Sequence, residues 1–287
     1  MLITAFHPVD HQQVIRFVRQ ANLVHQHLDW EPIQKWLNYP DNLIALAWDD
    51  HHDLCGVIAF SPPHRATSWM RLLALACDQK QSVFDALWQT LYPELRKKIS
   101  LVGVLVNNYW INALLEKIGF ERTDTVVSLV RRDKPLPTYD IPSVRIRGLR
   151  FGEFPKVLAV DHAAFDTLWQ MRDSELREAG RRACHYTLAH DGHQIVGYQL
   201  TMQYEHTMHL ARIATLPHMQ GHHIGSQLLR DTLVQAEKKR IHTVTVNTQS
   251  SNSISQHLYR RFGFEHDAPD LPVYTLRLNP EIESPHY

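Results

Sequence analysis

One thirteen-residue pattern occurs twice in this chain. Residues 108–120 read NYWINALLEKIGF and residues 252–264 read NSISQHLYRRFGF. Asn108, Leu114, Gly119 and Phe120 fall on Asn252, Leu258, Gly263 and Phe264 at a constant offset of 144. Upstream, Cys55-Gly56-Val57 lies opposite Val196-Gly197-Tyr198 at an offset of 141. A period this long marks a duplicated domain, not a solenoid unit. The 287 residues suffice for two hydrophobic cores. Near the midpoint, residues 131–142 (RRDKPLPTYDIP) hold three prolines among mixed charges and read as a linker. The expected organisation is therefore a domain over 1–132, a linker over 133–142, a second domain over 143–280 and a tail over 281–287.

Hydrophobic periodicity predicts the same element order in both halves. In the first, strands are expected at 2–5, 43–48, 54–61, 68–76, 101–106 and 125–130, with helices near 11–24, 32–37, 82–97 and 110–118. In the second, strands are expected at 144–147, 185–190, 194–204, 208–215, 243–247 and 273–278, with helices near 153–165, 173–182, 224–239 and 253–261. Sheets flanked by helices in this order indicate an α/β or α+β chain of two similar domains.

The chemistry concentrates in residues 213–229, IATLPHMQGHHIGSQLL. A β-type run, a proline and a loop with glycines open onto a helix. Free N–H groups at a helix start favour an anion, and glycine lets a phosphate approach the backbone. No Gly-Lys-Ser/Thr follows, so the loop is not a Walker A loop. It also lacks the third glycine of the dinucleotide fingerprint. In residues 252–264, Ile254, Leu258 and Phe262 recur at helical spacing, Tyr259 stands beside that stripe, and Gly263 is placed to end the helix.

These two segments, in this order, resemble the two signatures of the GNAT acetyltransferase superfamily. The loop is similar to Gln/Arg-x-x-Gly-x-Gly/Ala, with His223 at the middle glycine and Ser226 as the last small residue. The helix is similar to Asn-x-x-Ala-x-x-Leu-Tyr-x-Lys-x-Gly-Phe, with Ser255 for alanine and Arg261 for lysine. The resemblance implies two tandem GNAT-like domains, each a mixed, mostly antiparallel sheet flanked by helices. It implies acetyl-CoA as acyl donor and an amine of a small molecule or peptide as acceptor. Gln220, Gly221, His222, His223, Ile224, Gly225 and Ser226 would hold the pyrophosphate. Ile213, Ala214 and Thr215 would pair strand-like with the pantetheine arm, Asn252 would hydrogen-bond that arm, and Tyr259 would protonate the leaving thiolate.

The general base is left open. Asn247, on the strand before the second signature, cannot take a proton; His209 has a suitable ordinary pKa; proton loss through water serves equally. The first half keeps the fold signals without the chemistry. Gln79, Lys80 and Phe84 lie opposite Gln220, Gly221 and Gly225, residues 77–84 contain no glycine, Asp78 would repel phosphate, and Leu115 stands opposite Tyr259. A catalytically silent first domain is expected. The competing function is a non-catalytic acyl-CoA sensor or scaffold.

Composition excludes little but consistently. Thirty basic and 30 acidic residues give a formal net charge of zero, so no nucleic-acid partner is expected. Three widely spaced cysteines form no disulfide framework or zinc motif, and the 20 histidines include no metal-binding spacing, so no metal is expected. The first residues lack the basic flank and apolar core of a secretory leader, and no run is long enough for a membrane span. The reading is a cytoplasmic protein, a monomer acting as a pseudo-dimer or a homodimer.

Overall fold

The computed structural model describes residues 1–27, 31–76, 80–137 and 144–279. Residues 77–79, 138–143 and the tail from 280 onward, on which several of the expectations above fall, lie outside the described residues. The chain forms two compact units: Met1–Asp124 with Leu271–Tyr287, and Thr125–Asp270.

The first unit contains β1 (Leu2–Ala5), α1 (His11–Gln20), β2 (Leu23–Gln26), α2 (Ile33–Trp36), β3 (Leu43–Trp48), β4 (Leu54–Phe60), β5 (Thr67–Leu75), α3 (Lys80–Lys98), β6 (Leu101–Leu105) and α4 (Asn112–Lys117). After β7 (Glu121–Arg132), the second unit contains β8 (Arg145–Gly148), α5 (Phe154–Ala164), α6 (Asp173–Arg182), β9 (His185–His190), β10 (Ile195–Tyr204), β11 (Thr207–Thr215), α7 (Ile224–Lys238), β12 (Thr243–Gln249) and α8 (Ser253–Arg261), and the chain closes on β13 (Glu265–Arg277).

The two sheets have the same order. In the first unit it is β1-β3-β4-β5-β6-β13, and in the second β8-β9-β10-β11-β12-β7. Each is antiparallel except for one parallel contact, β5 with β6 and β11 with β12. Both carry a bulge at the same point of the repeat, between Ala59 and Phe60 and between Leu200 and Thr201.

The division does not follow the cut at 133–142. The last strand of each sheet comes from the other half of the sequence: Thr243 to Gln249 pair with Arg132 to Val126 of β7, and Leu101 to Leu105 pair with Arg277 to Val273 of β13. Strand pairing is non-local, so hydrophobic pattern and prolines give no notice of which sheet a terminal strand will join. A second difference lies at residues 23–26. The helix expected to run to residue 24 stops at Gln20, and Leu23–Gln26 forms β2, an extra strand on β5.

The cores follow from alternation. In the first unit, Ile58, Leu73 and Leu75 pack with Phe84 and Leu87 of α3 on one face, while Val57, Leu72 and Ala74 pack with Val14 and Trp36 on the other. In the second, Met208, Leu210, Val244 and Val246 pack with Leu229 and Leu233 of α7 and with Tyr259 and Phe262 of α8. The stripe of α8 is rotated from the expected one. Ile254 is 70% exposed, whereas Tyr259 and Phe262 are buried, so the tyrosine is the centre of the buried face and not its edge.

Glycine is required where helix crosses sheet. A Cβ at Gly197 would stand 2.7 Å from the Ala214 carbonyl oxygen and 3.0 Å from Ile224 Cγ2 of α7. Gly197→Ala is therefore expected to destabilise the protein by roughly 1–3 kcal/mol in denaturant titration. Gly148→Ala, with no atom within 4 Å of the new Cβ, should change stability by less than about 0.5 kcal/mol.

Candidate active site

Strands β11 and β12 start side by side and then part. Thr207 to Leu210 pair in parallel with Thr243 to Val246, and beyond Leu210 no described strand covers that edge of β11. The bulge at Ala211 coincides with the parting, because Leu200 faces Arg212 whereas Thr201 faces Leu210. The Leu216 N–H donates to the Val196 carbonyl. Alternation of the antiparallel ladder then turns the N–H and C=O groups of Ile213 and Thr215 away from β10, toward the open edge. Ala214 lies between them and bonds back to β10.

The loop after β11 continues the same surface. Pro217 starts a short 3-10 turn, Gly221 has φ +80, and His223 is left-handed at φ 61 immediately before α7. The first helical bond is donated by Gln227 N–H to the His223 carbonyl. Among the described residues, the six consecutive N–H groups from Gly221 through His222, His223, Ile224 and Gly225 to Ser226 donate to no protein acceptor. Gly225 lies against Leu258 of α8, where a Cβ would stand 3.3 Å from Leu258 Cδ2. Gln220 ends the 3-10 turn in extended conformation, and its carbonyl lies 3.1 Å from His222 Nδ1. The loop is thus an anion cradle at the start of a fifteen-residue helix.

Tyr259 is fixed by the end of its own helix. Gly263 adopts φ +81, and Phe264 N–H donates back to the Tyr259 carbonyl at 3.1 Å. The Phe264 ring packs on Tyr259 at 5.7 Å, the hydrophobic contact that accompanies such a helix end. Arg131 Nε caps the Phe262 carbonyl. Burial pushes the Tyr259 phenol up, so it stays protonated at neutral pH. Among the described residues its hydroxyl has no protein hydrogen-bond partner. Asn252 opens the same helix: its Oδ1 accepts from the Ser255 N–H at 3.0 Å, so one end of its carboxamide serves as the helix cap.

His209 lies on β11 one residue before the parting, with Nδ1 2.9 Å from Thr245 Oγ1. Its neighbours Met208 and Leu210 face the core that holds Tyr259; by alternation His209 faces the α5 side of the sheet. The structure does not bring the two predicted catalytic side chains to one face. Burial lowers the His209 pKa to about 4, so the ring is neutral at physiological pH.

A buried network on that face was not foreseen. Asp161 of α5 is fully buried. Its Oδ2 accepts from Tyr198 Oη at 2.5 Å and Arg212 Nε at 2.7 Å, and its Oδ1 from the Met171 N–H at 3.0 Å. Arg212 Nη2 donates to the Trp169 carbonyl at 2.7 Å, and its guanidinium stacks over Phe165. The available signal was a charged residue inside the apolar run of β11.

In the first unit the corresponding edge is closed. The Ala76 N–H donates to the Cys55 carbonyl, which turns the backbone groups of Leu73 and Leu75 outward as in Ile213 and Thr215. There β2 takes them: Leu23 pairs with Leu75, His25 with Leu73, and His27 N–H donates to the Arg71 carbonyl. Leu115, the counterpart of Tyr259, is buried in an apolar cluster. Asp78 and Gln79, expected to mark the altered loop, lie outside the described residues.

Residues 154–264 match the model of the Acetyltransferase (GNAT) family. That segment is a GNAT acetyltransferase domain. No curated protein matches the sequence. Solved structures resemble it over both units. A GCN5-related N-acetyltransferase from Sphaerobacter thermophilus is 13% identical, with 97% of this chain and 96% of that one covered and a TM-score of 0.64. A GCN5-related N-acetyltransferase from Anabaena variabilis is 11% identical, covering 97% and 73% with a TM-score of 0.71. A tandem GNAT protein from the clavulanic acid biosynthesis pathway is 13% identical, covering 97% and 99% with a TM-score of 0.62. At these identities the likeness is one of fold. Among the described residues no helix is long and apolar enough to cross a membrane, and no three His, Cys, Asp or Glu side chains are grouped to hold a metal.

The depressed His209 pKa has a consequence for stability. Between about pH 6.5 and 4 the unfolded chain binds a proton that the folded site refuses, so stability falls as pH is lowered through that window. His209→Gln should flatten the pH dependence of the melting temperature there, removing a loss of up to about 3 kcal/mol; an unchanged slope would show that His209 is not held neutral.

Proposed function

We propose that the unit Thr125–Asp270 is an acetyl-CoA-dependent N-acetyltransferase acting on an amine of a small molecule or peptide. One observation carries the reading: an open strand edge runs directly into a cradle of unshared amides, on the domain whose core holds the buried Tyr259. Acetyl-CoA supplies the thioester. The amides of Gly221 to Ser226 fit its pyrophosphate, with the α7 dipole behind them. The outward N–H and C=O groups of Ile213 and Thr215 fit an amide-rich arm as an added strand does. The free backbone of the bulge next to them is placed to polarise the acyl carbonyl. Asn252 retains its carboxamide nitrogen for the arm. Tyr259, held protonated, donates to the departing thiolate. A pKa near 4 makes His209 a hydrogen-bond acceptor for the amine rather than a store for its proton, which passes to water.

The first unit has no place in this chemistry, because β2 saturates the edge that the arm would use. The protein would then hold one molecule of acetyl-CoA per chain, whether it acts as a monomer or a homodimer in a cytoplasmic setting.

Tyr259→Phe is expected to keep acetyl-CoA affinity in titration calorimetry and to lower thiol release with a pool of amines by about 10²-fold or more. Binding without turnover in wild-type protein across a broad amine pool would favour the sensor reading instead. Gly225→Trp, which drives an indole into Leu258 and the cradle, should abolish binding; unchanged affinity would remove the loop from the site.

A further inference from the structure

At the far end of α7 from the cradle, the second unit holds a cleft of about 340 Å3, a volume in the range of small-molecule pockets. The fifteen residues of α7 set the two places about 22 Å apart. The cleft lies where α7 ends and β12 begins. Its apolar wall is Leu233 and Ala236 of α7 with Ile241 and Val244, all buried. Arg131, at the end of β7, lines it too and is itself only 5% exposed. Its hydrogen bonds are unevenly spent. Nε donates to the Phe262 carbonyl, and Nη2 donates to the carbonyls of Lys134 and Pro135. Among the described residues Nη1 has no protein acceptor, and it keeps contact with solvent. All three acceptors are neutral carbonyls, so this charge is buried with no counter-ion in contact. Burial lowers the guanidinium pKa, and Glu237 works against that through space. A charge placed in this way is costly unless an anion joins it.

Acceptors around the cleft are already engaged. The Gln235, Ala236 and Glu237 carbonyls at the end of α7 accept from the Lys239, Ile241 and Arg240 N–H groups. Asp133 pairs with His242 at 2.7 Å, and Lys134 pairs with Glu265. Arg240 makes the turn at φ 57, a left-handed position that suits glycine. An arginine there strains the backbone, and it lines the cleft.

We propose that this cleft is a binding site for a small carboxylate with a hydrocarbon body, the carboxylate on Arg131 Nη1 and Arg240 and the body on Leu233, Ala236, Ile241 and Val244. The carboxylate supplies the anion that Arg131 lacks, through charge-assisted hydrogen bonds. The hydrocarbon takes the apolar wall out of water. Inorganic phosphate would meet the guanidinium and leave that wall wet. A cation would meet two arginines and carbonyls that are already bonded.

The site stands apart from the acetyl-CoA reading, and its test separates the two. In titration calorimetry of the full chain, hexanoate should bind one per chain with a Kd of about 1 mM or tighter. Hexan-1-ol and inorganic phosphate should each bind at least about tenfold more weakly. Glu237→Gln removes a carboxylate that a bound anion would face, and should tighten hexanoate about threefold. Arg240→Gly should weaken it about threefold or more while raising the melting temperature by roughly 2–4 °C, because glycine relieves the left-handed turn. A purely structural arginine would give that stability change without the change in affinity. Arg131→Gln should abolish binding; if it does not fold, the two rim variants decide. Gly225→Trp, which fills the cradle, should leave hexanoate affinity within about twofold. No binding by about 10 mM hexanoate overturns the proposal, as does equal affinity for hexan-1-ol or phosphate. So do rim variants that leave Kd unchanged, and a loss of binding in Gly225→Trp, which would put the carboxylate at the cradle instead.

Discussion

The backbone groups of Ile213 and Thr215 point away from β10 and are met by no described strand. Everything in the candidate site is arranged around that open ladder. A strand edge is normally paired, covered or blunted, because unshared N–H and C=O groups invite pairing. Here the edge is opened by a bulge at Ala211, which ends the pairing with β12, and is prolonged by a loop whose amides are equally unshared. Extended amides followed by anion-directed amides match an amide-rich arm that ends in a pyrophosphate. Tyr259 and His209 are then placed from opposite faces of the same strand, one by the core of α7 and α8, the other by alternation.

The duplicated unit acts as an internal control. It has the same strand order, the same bulge and the same glycine-terminated helix, with Phe120 N–H donating to the Leu115 carbonyl as Phe264 does to Tyr259. Its ladder is nevertheless closed by four residues of its own chain. Equal folds therefore do not give equal sites. The difference at this edge is one short segment, β2.

Much of this was legible in the sequence. Gly263-Phe264 announced the helix end that fixes Tyr259, and Gly119-Phe120 announced its copy. The loop at residues 220–226 could be recognised despite a histidine at the left-handed position, since a single αL residue costs only about 1–2 kcal/mol. Other features were not legible. Residues 21–26 continue an apolar pattern that a helix or a strand satisfies equally, and only the exposed edge of β5 decides in favour of the strand. The rotation of α8 that buries Tyr259 and leaves Ile254 in solvent depends on what α8 packs against, not on its own spacing. Asp161 and Arg212 are 51 residues apart, and neither signals the other.

The sequence alone determined that the chain is a duplicated α/β protein, that one copy keeps the glycine loop before a helix, and that Tyr259 stands on the glycine-terminated helix after it, because helix ends, glycine conformations and periodicity are local properties of a few neighbouring residues. Only the tertiary structure decided that β7 and the end of β13 join the sheets they do, that β2 closes one ladder, and that Asp161 and Arg212 stand beside the open one. Strand pairing and buried charge pairing are made between residues distant in sequence, and their outcome depends on which partners the packed chain brings within hydrogen-bond reach.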